Sequence, residues 1–248
     1  MTSGTRETYR RTTEIIYRKY MPYADRIAGV REAQDKRLTE MRAIGGAKNY
    51  ICSIVMPVCN RVELTKDCLT ALAGLKDQPE YELIIVDNGS TDGTADFLRR
   101  LSGDVRIIAN EENLGFAKAC NQGAAVARGK YLIFLNNDTI PQPGWLAALV
   151  AEVDHHAEVG IVGSKLLYPD GTVQHAGVVR DCAHRLPYHI YKTFAGDHPA
   201  VNQRREFQIV TAACLLIRRA LFDEVGGFDE GYVNGFEDAD LCLKVRER

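Results

Sequence analysis

Four short apolar segments, separated by stretches with helical spacing, constrain the fold of this chain more than any other feature. Near-continuous apolar strands that alternate with helices are typical of a parallel sheet with both faces covered. We therefore predict an α/β fold with a mostly parallel sheet flanked by helices over residues 49–248. The predicted strands cover residues 51–56, 81–86, 105–109 and 131–135, and the predicted helices cover residues 63–76, 91–101 and 116–128.

Residues 1–48 differ from the rest of the chain in both charge and pattern. They carry eleven Lys/Arg and six Asp/Glu, whereas residues 49–248 carry 20 Lys/Arg and 27 Asp/Glu. Tyr9, Ile16 and Tyr20 fall on one face of a predicted helix. We predict an N-terminal helical arm that packs against the main domain. The alternatives are a docking surface for anionic lipid headgroups or for a partner, and an arm that is partly disordered.

The overall composition disfavours several classes of protein. The formal net charge of -2 lacks the positive surplus that a general nucleic-acid binder needs. No apolar run approaches the roughly 18 residues of a membrane-spanning helix. The seven cysteines include no Cys-x-x-Cys pair, which argues against a zinc knuckle and is typical of reduced thiols in a cytosolic protein. No Gly-x-Gly-x-x-Gly motif follows the first strand, so a dinucleotide site is disfavoured.

Polar side chains follow three of the predicted strands at the point where each apolar segment ends. Asn60 follows the first strand, Asp87 the second, and Asn136-Asn137-Asp138 the fourth. In an open parallel sheet, ligands bind outside the carboxyl ends of the strands. The Asp87 carboxylate either accepts hydrogen bonds from a ribose or a pyrimidine, or forms a turn that caps the next helix. Asp138 and its amide neighbours suit Mg²⁺ or Mn²⁺ bound to a diphosphate, with a simple turn as the alternative.

Two predicted helix starts carry further candidates. Gly115 precedes a helix rich in small residues that contains Asn121, which indicates either close packing against the sheet or part of a site. Glu237 and Asp238 open the last helix after a Gly-rich stretch. These carboxylates either stabilise the helix dipole or present a general base to a hydroxyl group. His175 lies in a predicted hairpin with a polar tip, and a contact to the acceptor or to a sugar is the alternative.

Taken together, these segments resemble the family 2 glycosyltransferases of the GT-A fold, a Rossmann-like α/β architecture. The order and spacing of the motifs carry the resemblance, which covers residues 49–248. The form NNDT followed by PDGTVQHAG is most similar to the rhamnosyltransferase-like branch that builds bacterial surface polysaccharides. The matching segments are SIVMPVCNR (53–61), ELIIVDNGSTDGT (82–94), NLGFAKACNQG (113–123), YLIFLNNDTIPQPGWL (131–146), GSKLLYPDGTVQHAG (163–177) and VGGFDEGYVNGFEDADLCLKVRER (225–248).

The resemblance implies a role for each candidate residue. Asp87 would bind the base of the nucleotide. The segment 136–138 would stand in the place of the family's Asp-x-Asp motif, with Asp138 as the principal metal contact. Asp238 would be the catalytic base, with Glu237 beside it. The remaining residues of the nucleotide pocket are expected to be Pro57, Cys59, Asn60, Glu63, Gly115 and Asn121.

The function implied by the resemblance is a metal-dependent, inverting transfer of a sugar from a nucleoside-diphosphate sugar to a hydroxyl acceptor. The implied cofactor is Mn²⁺ or Mg²⁺, and the implied acceptor is a saccharide or a lipid-linked saccharide of bacterial surface polysaccharide assembly. A cytoplasmic location is expected, with peripheral contact at the inner face of the membrane left open. Because the chain ends at Arg248, inside the last predicted helix, we expect it to be truncated.

Two alternatives to this function stay open. One is a non-catalytic module that binds a nucleotide or a partner. The other is a sugar-phosphate nucleotidyltransferase, which would need a basic, Gly-rich phosphate loop directly after the first strand. The residues at that place are Pro57-Val58-Cys59-Asn60-Arg61, which disfavours this second alternative.

Overall fold

The computed structural model describes residues 49–76, 78–180, 186–232 and 235–248. The predicted helical arm, residues 1–48, lies outside the described residues. Within the described ranges, no helix combines the length and the apolar character needed to cross a bilayer.

A six-stranded sheet forms the centre of the described chain. Its strands are β1 (Cys52–Val58), β2 (Tyr81–Asn88), β3 (Val105–Asn110), β4 (Tyr131–Leu135), β5 (Ile161–Gly163) and β10 (Cys214–Arg218). Their spatial order is β3-β2-β1-β4-β10-β5. Strands β1 to β4 run parallel, whereas β10 runs antiparallel to both of its neighbours. The predicted mostly parallel sheet is therefore confirmed.

Helices cover both faces of the sheet, which explains why the strands are apolar along their whole length. Ile54 and Val55 are adjacent in β1, point to opposite faces and are both fully buried. Burial of one such side chain contributes about 1.5–3 kcal/mol. The helices are α1 (Val62–Gly74), α2 (Thr94–Leu98), α3 (Phe116–Val126), α4 (Trp145–His155), α5 (Arg219–Glu224) and α6 (Glu237–Arg246). Helices α3, α5 and α6 pack on the Val55 face, and α1, α2 and α4 pack on the Ile54 face.

The predicted end of the second strand was wrong, and the error concerns the candidate site. β2 continues to Asn88, so Asp87 and Asn88 lie inside the strand and pair with Ala109 and Asn110 of β3. Polar side chains do not end this strand, because the backbone ladder to β3 continues past them. Asp87 is therefore held by a strand backbone.

The helix predicted over residues 91–101 was too long at both ends. The observed helix covers only Thr94–Leu98. One carboxylate oxygen of Asp92 accepts a hydrogen bond from the backbone N–H of Thr94 at 2.9 Å, which fixes a turn before the helix. Such side-chain bonds to nearby backbone compete with helix formation.

Residues 164–210 form a separate unit at the carboxyl edge of the sheet. The described residues of this unit form two hairpins and one short 3-10 turn. They are β6 (Leu166–Leu167) with β7 (Val173–His175), β8 (Val178–Val179) with β9 (Tyr188–His189), and Pro199–Val201. The unit leaves the sheet after β5 and returns at β10, and the Ser164 N–H donates to the Cys214 carbonyl at 3.1 Å. The two ends of the unit are therefore adjacent. The predicted hairpin around His175 is confirmed.

Candidate active site

Asn60 ties the loop after β1 to the loop after β2. Its backbone N–H donates to the Ser90 hydroxyl oxygen at 2.7 Å. Its side-chain oxygen accepts from the backbone N–H groups of Thr91 at 2.8 Å and Asp92 at 3.2 Å. Asn60 has a φ of 59°, a left-handed conformation that Asn adopts more readily than most residues. These contacts hold residues 88–92 against the end of β1.

Asp87 lies at the base of the same pair of loops. It is 5% exposed, and one of its carboxylate oxygens accepts from the Ser90 N–H at 3.1 Å. None of the residues that the structure describes donates to its other oxygen. One carboxylate oxygen therefore stabilises the turn, and the other can accept a hydrogen bond from a ligand.

The other residues predicted near β1 lie in three different surroundings. Cys59 is exposed, and its sulfur accepts from Asn113 Nδ2 at 3.4 Å. Pro57 is partly buried within β1 itself, beyond the predicted end of that strand. Glu63 lies on the exposed side of α1 and pairs with Lys66 at 2.6 Å. The structure thus brings Cys59 into the loop pair and places Glu63 on the outer surface of α1.

A buried network of amide side chains supports this edge of the sheet, and sequence reasoning missed it. Asn88 Oδ1 accepts from the Leu114 N–H and from Asn110 Nδ2, both at 3.0 Å. Asn110 and Gln122 exchange two hydrogen bonds, at 2.8 and 3.0 Å. Asn88 Nδ2 donates to Asn113 Oδ1 at 2.8 Å. Because buried amides need partners, this network fixes the start of α3 to the end of β2. The sequence signal that could have predicted this network is the Asn at the end of each strand, Asn88 in β2 and Asn110 in β3.

Gly115 and Asn121 position α3 and its neighbours. Gly115 has a φ of 86° and a ψ of 163°, a region that is essentially open only to glycine. Asn121 Nδ2 donates to the Phe228 carbonyl at 2.9 Å, and Asn121 Oδ1 accepts from the Phe228 N–H at 3.0 Å. Asn121 therefore joins α3 to the Gly-rich segment that leads to Asp238.

The end of β4 carries the segment predicted to bind metal. Asn137 Nδ2 donates to Thr65 Oγ1 at 2.8 Å, and the Asn136 carbonyl accepts from Thr139 Oγ1 at 2.7 Å. These bonds fix the turn. Asp138 is exposed, and no residue in the described ranges donates a hydrogen bond to its carboxylate.

These groups fit a divalent cation that is held jointly with a diphosphate. Asp138 supplies a carboxylate, and Asn137 keeps its carbonyl oxygen as an acceptor because its amide nitrogen is used by Thr65. In the part of the chain that the structure describes, no group of three His, Cys, Asp or Glu could enclose a metal ion. Mg²⁺ is commonly bound by one or two carboxylates together with substrate phosphates, and this donor set suits that arrangement.

Asp238, at the start of α6, contacts the chain segment that enters β10. Its Oδ2 accepts from the Ala212 N–H at 3.2 Å. The carbonyl of the next residue, Ala213, accepts from the Asn136 N–H at 3.0 Å. Two consecutive residues therefore connect Asp238 to the end of β4, two residues before Asp138. Sequence reasoning did not predict this connection, because it joins segments far apart in the chain.

The two carboxyl groups at the start of α6 are both harder to ionise than usual. Burial raises the pKa of Asp238, and hydrogen bonds from the Ala212 N–H, the Ala239 N–H and the Thr211 hydroxyl act in the opposite direction. Glu237 is 7% exposed, and its Oε2 has no hydrogen-bond partner among the described residues. Burial and the adjacent charge of Asp238 raise the pKa of Glu237 to about 7.

A cleft of about 230 Å³ opens beside the segment that enters β10, and Thr211 and Ala213 of that segment line it. Inside it, His175 Nδ1 and His189 Nδ1 lie 3.1 Å apart, and the Thr211 N–H donates to His175 Nε2 at 3.5 Å. Burial lowers the pKa of His175 to about 4, so the ring is neutral at pH 7. The hydrogen bonding then assigns its proton to Nδ1, which donates to His189. The polar residues that line the cleft are Tyr168, Gln174, His175, His189, Lys192 and Thr211.

Comparisons with known proteins agree with this geometry. The family model for glycosyl transferase family 2 matches residues 53–226. The chain is 34% identical over 203 residues to the O-antigen biosynthesis protein RfbC of Myxococcus xanthus. That alignment covers 78% of this chain and 16% of RfbC. It is 28% identical over 194 residues to the N-acetylglucosaminyl-diphospho-decaprenol L-rhamnosyltransferase of Mycobacterium tuberculosis. That alignment covers 70% of this chain and 63% of the rhamnosyltransferase. The chain thus spans less than two thirds of either relative.

A solved structure shows the same architecture. The mannosyltransferase PcManGT from Pyrobaculum calidifontis, in complex with GDP-Man and Mn²⁺, aligns with a TM-score of 0.60 at 18% identity. The alignment covers 86% of this chain and 59% of that one. The predicted GT-A fold is confirmed, and the relatives include a rhamnosyltransferase, as the form of the motifs indicated. By its fold and by the match over residues 53–226, the chain belongs to glycosyltransferase family 2.

Proposed function

We propose that this chain is the catalytic domain of an enzyme that transfers a sugar from a nucleoside-diphosphate sugar to a hydroxyl acceptor. The transfer depends on Mn²⁺ or Mg²⁺, inverts the anomeric carbon and serves the assembly of a surface saccharide. The observation that carries the proposal is the connection through Ala212 and Ala213, which relates the partly buried carboxylate of Asp238 to the turn that presents Asp138. Family membership and the names of the relatives support it.

The proposed roles follow from the surroundings of each group. The carboxylate oxygen of Asp87 that does not bond to the Ser90 N–H accepts a hydrogen bond from the nucleotide base or the ribose. Asp138, with the carbonyl oxygen of Asn137, would hold the cation, which when bound neutralises the charge of the departing diphosphate. Asp238 accepts the proton of the acceptor hydroxyl as that oxygen attacks the anomeric carbon from the face opposite the leaving group. A single displacement of this kind inverts the anomeric centre.

The cleft beside Asp238 is the proposed acceptor site. Its imidazole, amide and hydroxyl groups offer donors and acceptors suited to a saccharide. A lipid-linked saccharide is the proposed form, because the mycobacterial relative is named for a diphospho-decaprenol acceptor. Peripheral contact with a membrane is part of this proposal, since such an acceptor lies in a bilayer.

The test is calorimetric titration of UDP, GDP and dTDP into the wild-type protein and Asp138→Ala, each with and without Mn²⁺. We expect Mn²⁺ to strengthen binding of at least one nucleotide by about tenfold or more, which is about 1.4 kcal/mol. Asp138→Ala should lose that increment. Asp67→Ala, which removes an exposed carboxylate from α1, is the matched control and should keep it. An equal effect of Mn²⁺ in Asp138→Ala and the wild type would contradict the metal assignment.

A second assay separates a transferase from a non-catalytic module. The matching nucleotide sugar is incubated with candidate acceptors, and release of free nucleoside diphosphate is measured. A transferase releases it faster when the correct acceptor is present. Tight nucleotide binding without any release would favour the non-catalytic module.

A further inference from the structure

A second cleft, the arginine cleft, lies at the amino edge of the sheet, where the parallel strands begin. Its volume is about 270 Å³, and its lining consists of Arg106, Ala125, Val126, Ala127, Arg128 and Arg219. The three arginines lie near the start of β3, before β4 and after the antiparallel β10. The candidate active site lies at the other edge of the sheet. The seven residues of β1 separate the two edges by about 20 Å, so the arginine cleft is a distinct place in the fold.

A buried polar network fixes the turn that forms one wall of the arginine cleft, residues 126–129. Glu82 is 2% exposed, and its Oε1 accepts from the Ser53 hydroxyl at 2.7 Å and from the Arg128 N–H at 2.6 Å. The Ser53 oxygen also accepts from the Gly129 N–H at 2.8 Å. A Cβ atom at Gly129 would lie within 2.6 Å of the backbone of Cys52 and Ser53, so the turn packs directly on β1. The wall is therefore held in one position before any ligand binds.

The positive charges of the arginine cleft are not balanced by carboxylates. Arg128 pairs with Glu82 Oε2 at 2.8 Å, and Arg106 lies farther from the same oxygen, at 4.0 Å. Arg219 makes no ion pair with any residue that the structure describes. The lining of the cleft, within the described ranges, includes no acidic residue. One carboxylate thus faces two guanidinium groups, and the charge of the third is uncompensated.

Two of the guanidinium groups are oriented by the backbone and keep unused donors. Arg106 Nη1 donates to the Val126 carbonyl at 2.7 Å, and Arg219 Nε donates to the Gly129 carbonyl at 2.9 Å. A guanidinium group carries several N–H donors in a fixed plane, so one hydrogen bond leaves most of them unused. Neither side chain has a nitrogen atom that is both buried and without a partner. Solvent, and hence a ligand, can therefore reach the unused donors.

We propose that Arg106, Arg128 and Arg219 form an anion site that binds a phosphate group. The planar guanidinium fork matches phosphate oxygens in a bidentate manner, and the two negative charges of a phosphate group balance the excess positive charge. Pockets for drug-sized ligands measure about 300–1,000 Å³, so the smaller arginine cleft suits a compact anion. A soluble phosphate compound and a lipid headgroup share this chemistry. The site does not depend on the proposed function, because it lies at the other edge of the sheet.

Arg219→Gln tests the site, because glutamine removes the charge and can still donate to the Gly129 carbonyl. The probes are inorganic phosphate and pyrophosphate, titrated calorimetrically with a chelator so that no divalent cation contributes at Asp138. We expect the wild type to bind a probe and the Kd to rise about 10-fold to 100-fold in Arg219→Gln, the scale of lost charge-assisted hydrogen bonds. Arg106→Gln should weaken binding as well. Arg99→Gln, at an exposed arginine paired with Asp96, is the matched control and should keep the wild-type Kd.

Melting temperatures with and without the probes provide a second measurement that holds even where a variant is less stable. A ligand that binds the native state raises the melting temperature, so the rise should occur in the wild type and in Arg99→Gln and should be small in both cleft variants. Sedimentation with phosphatidic acid vesicles distinguishes the sources of the phosphate group. Arg219-dependent binding of the soluble probes indicates a soluble ligand, and Arg219-dependent binding of the vesicles alone indicates a lipid headgroup. Absence of binding to all three, or equal binding by Arg219→Gln and the wild type, overturns the site.

Discussion

Three carboxylates of similar chemistry have different surroundings in this molecule, and the surroundings decide what each is suited to do. Asp138 is exposed and accepts no hydrogen bond from the described residues, so it is available to a cation. Asp238 accepts two backbone hydrogen bonds that fix its orientation. Glu237 is buried with one oxygen unpartnered, and burial together with the adjacent charge of Asp238 raises its pKa to about 7. In the proposed mechanism, burial and hydrogen bonding, more than residue type, distinguish the metal ligand from the base.

We expect Asp238→Asn to lower turnover by roughly 10²–10⁴, the usual contribution of a general base. Donor affinity should stay near the wild-type value, because the substitution keeps the shape of the side chain. The asparagine NH₂ group would face one of the two backbone N–H groups, from Ala212 or Ala239, so the melting temperature must be measured in parallel. Near-normal turnover would remove Asp238 from the mechanism and direct attention to Glu237.

Glu237→Gln should change the pH dependence of stability in a specific direction. The pKa of Glu237 is raised in the folded protein to about 7, so the native state retains a proton that the unfolded state loses above about pH 4.5. Wild-type stability therefore falls as pH rises from about 4.5 to 7. Glutamine resembles the protonated form and does not titrate.

The variant should match the wild type near pH 4.5 and exceed it above pH 7 by on the order of 2–3 kcal/mol. Urea unfolding of both proteins across this pH range measures the difference. A difference that stays constant with pH would show that Glu237 does not titrate as inferred.

At the scale of elements, the loops of the site are joined by side-chain amides rather than by the backbone ladder of the sheet. Asn60 connects the ends of β1 and β2, Asn88 connects β2 to the start of α3, and Asn121 connects α3 to the segment before α6. Each side chain satisfies two backbone groups on another element: Asn60 through its oxygen alone, and Asn88 and Asn121 through both the oxygen and the nitrogen of the amide. The strands form the framework of the site, and these three residues set the positions of the loops relative to one another.

Asn60→Gly and Asn60→Ala separate the two contributions of this residue. Both lose the bonds to the Thr91 and Asp92 N–H groups, so both should bind nucleoside diphosphate about tenfold more weakly, as expected for about 1–2 kcal/mol of lost hydrogen bonding. Glycine accepts the φ of 59° without strain, whereas alanine should cost about 1–2 kcal/mol more in stability. Calorimetry and urea unfolding measure the two effects. Wild-type affinity in Asn60→Gly would show that the loop pair does not depend on these bonds.

The sequence allowed the elements of residues 49–135 to be predicted, because apolar runs and helical spacing are local signals. It also placed Asn60 and Asp138 at strand ends, where the structure has them. Asp87 was misjudged as a residue after the strand, since Asp, Asn and Gly are also turn formers. The contact of Asp238 with Ala212 and the pairing of His175 with His189 could not be predicted, because no local pattern reports which distant segments meet.

At the scale of the whole molecule, exposed apolar side chains are concentrated in one region. Four of the six large hydrophobic side chains that are exposed in the described residues lie in the unit 164–210: Leu167, Leu186, Tyr188 and Phe194. The same unit carries six Lys/Arg and four Asp/Glu, in a chain whose residues 49–248 are acidic overall. Apolar and aromatic side chains beside basic ones are the composition of surfaces that contact anionic membranes.

We expect the protein to co-sediment with phosphatidylglycerol-containing vesicles and to bind vesicles of phosphatidylcholine alone more weakly. The double substitution Leu167→Ser and Phe194→Ser should reduce this binding severalfold, because it removes apolar area that enters the bilayer interface. Ile51→Ser removes a comparably exposed side chain at the amino edge of the sheet and is the matched control. If the double variant sediments as fully as Ile51→Ser, this surface does not contact the membrane.

The contact between Ser164 and Cys214 has a consequence for how such proteins diversify. The unit 164–210 departs from and rejoins the sheet at neighbouring points, so its length and content can change without altering the pairing of β4, β10 and β5. Insertions are tolerated where chain ends lie close together. The unit supplies most of the lining of the cleft, whereas the residues around Asn60 and Asp87 come from the first half of the chain. On the proposed function, replacement of residues 164–210 would therefore change the acceptor while the choice of donor stayed the same.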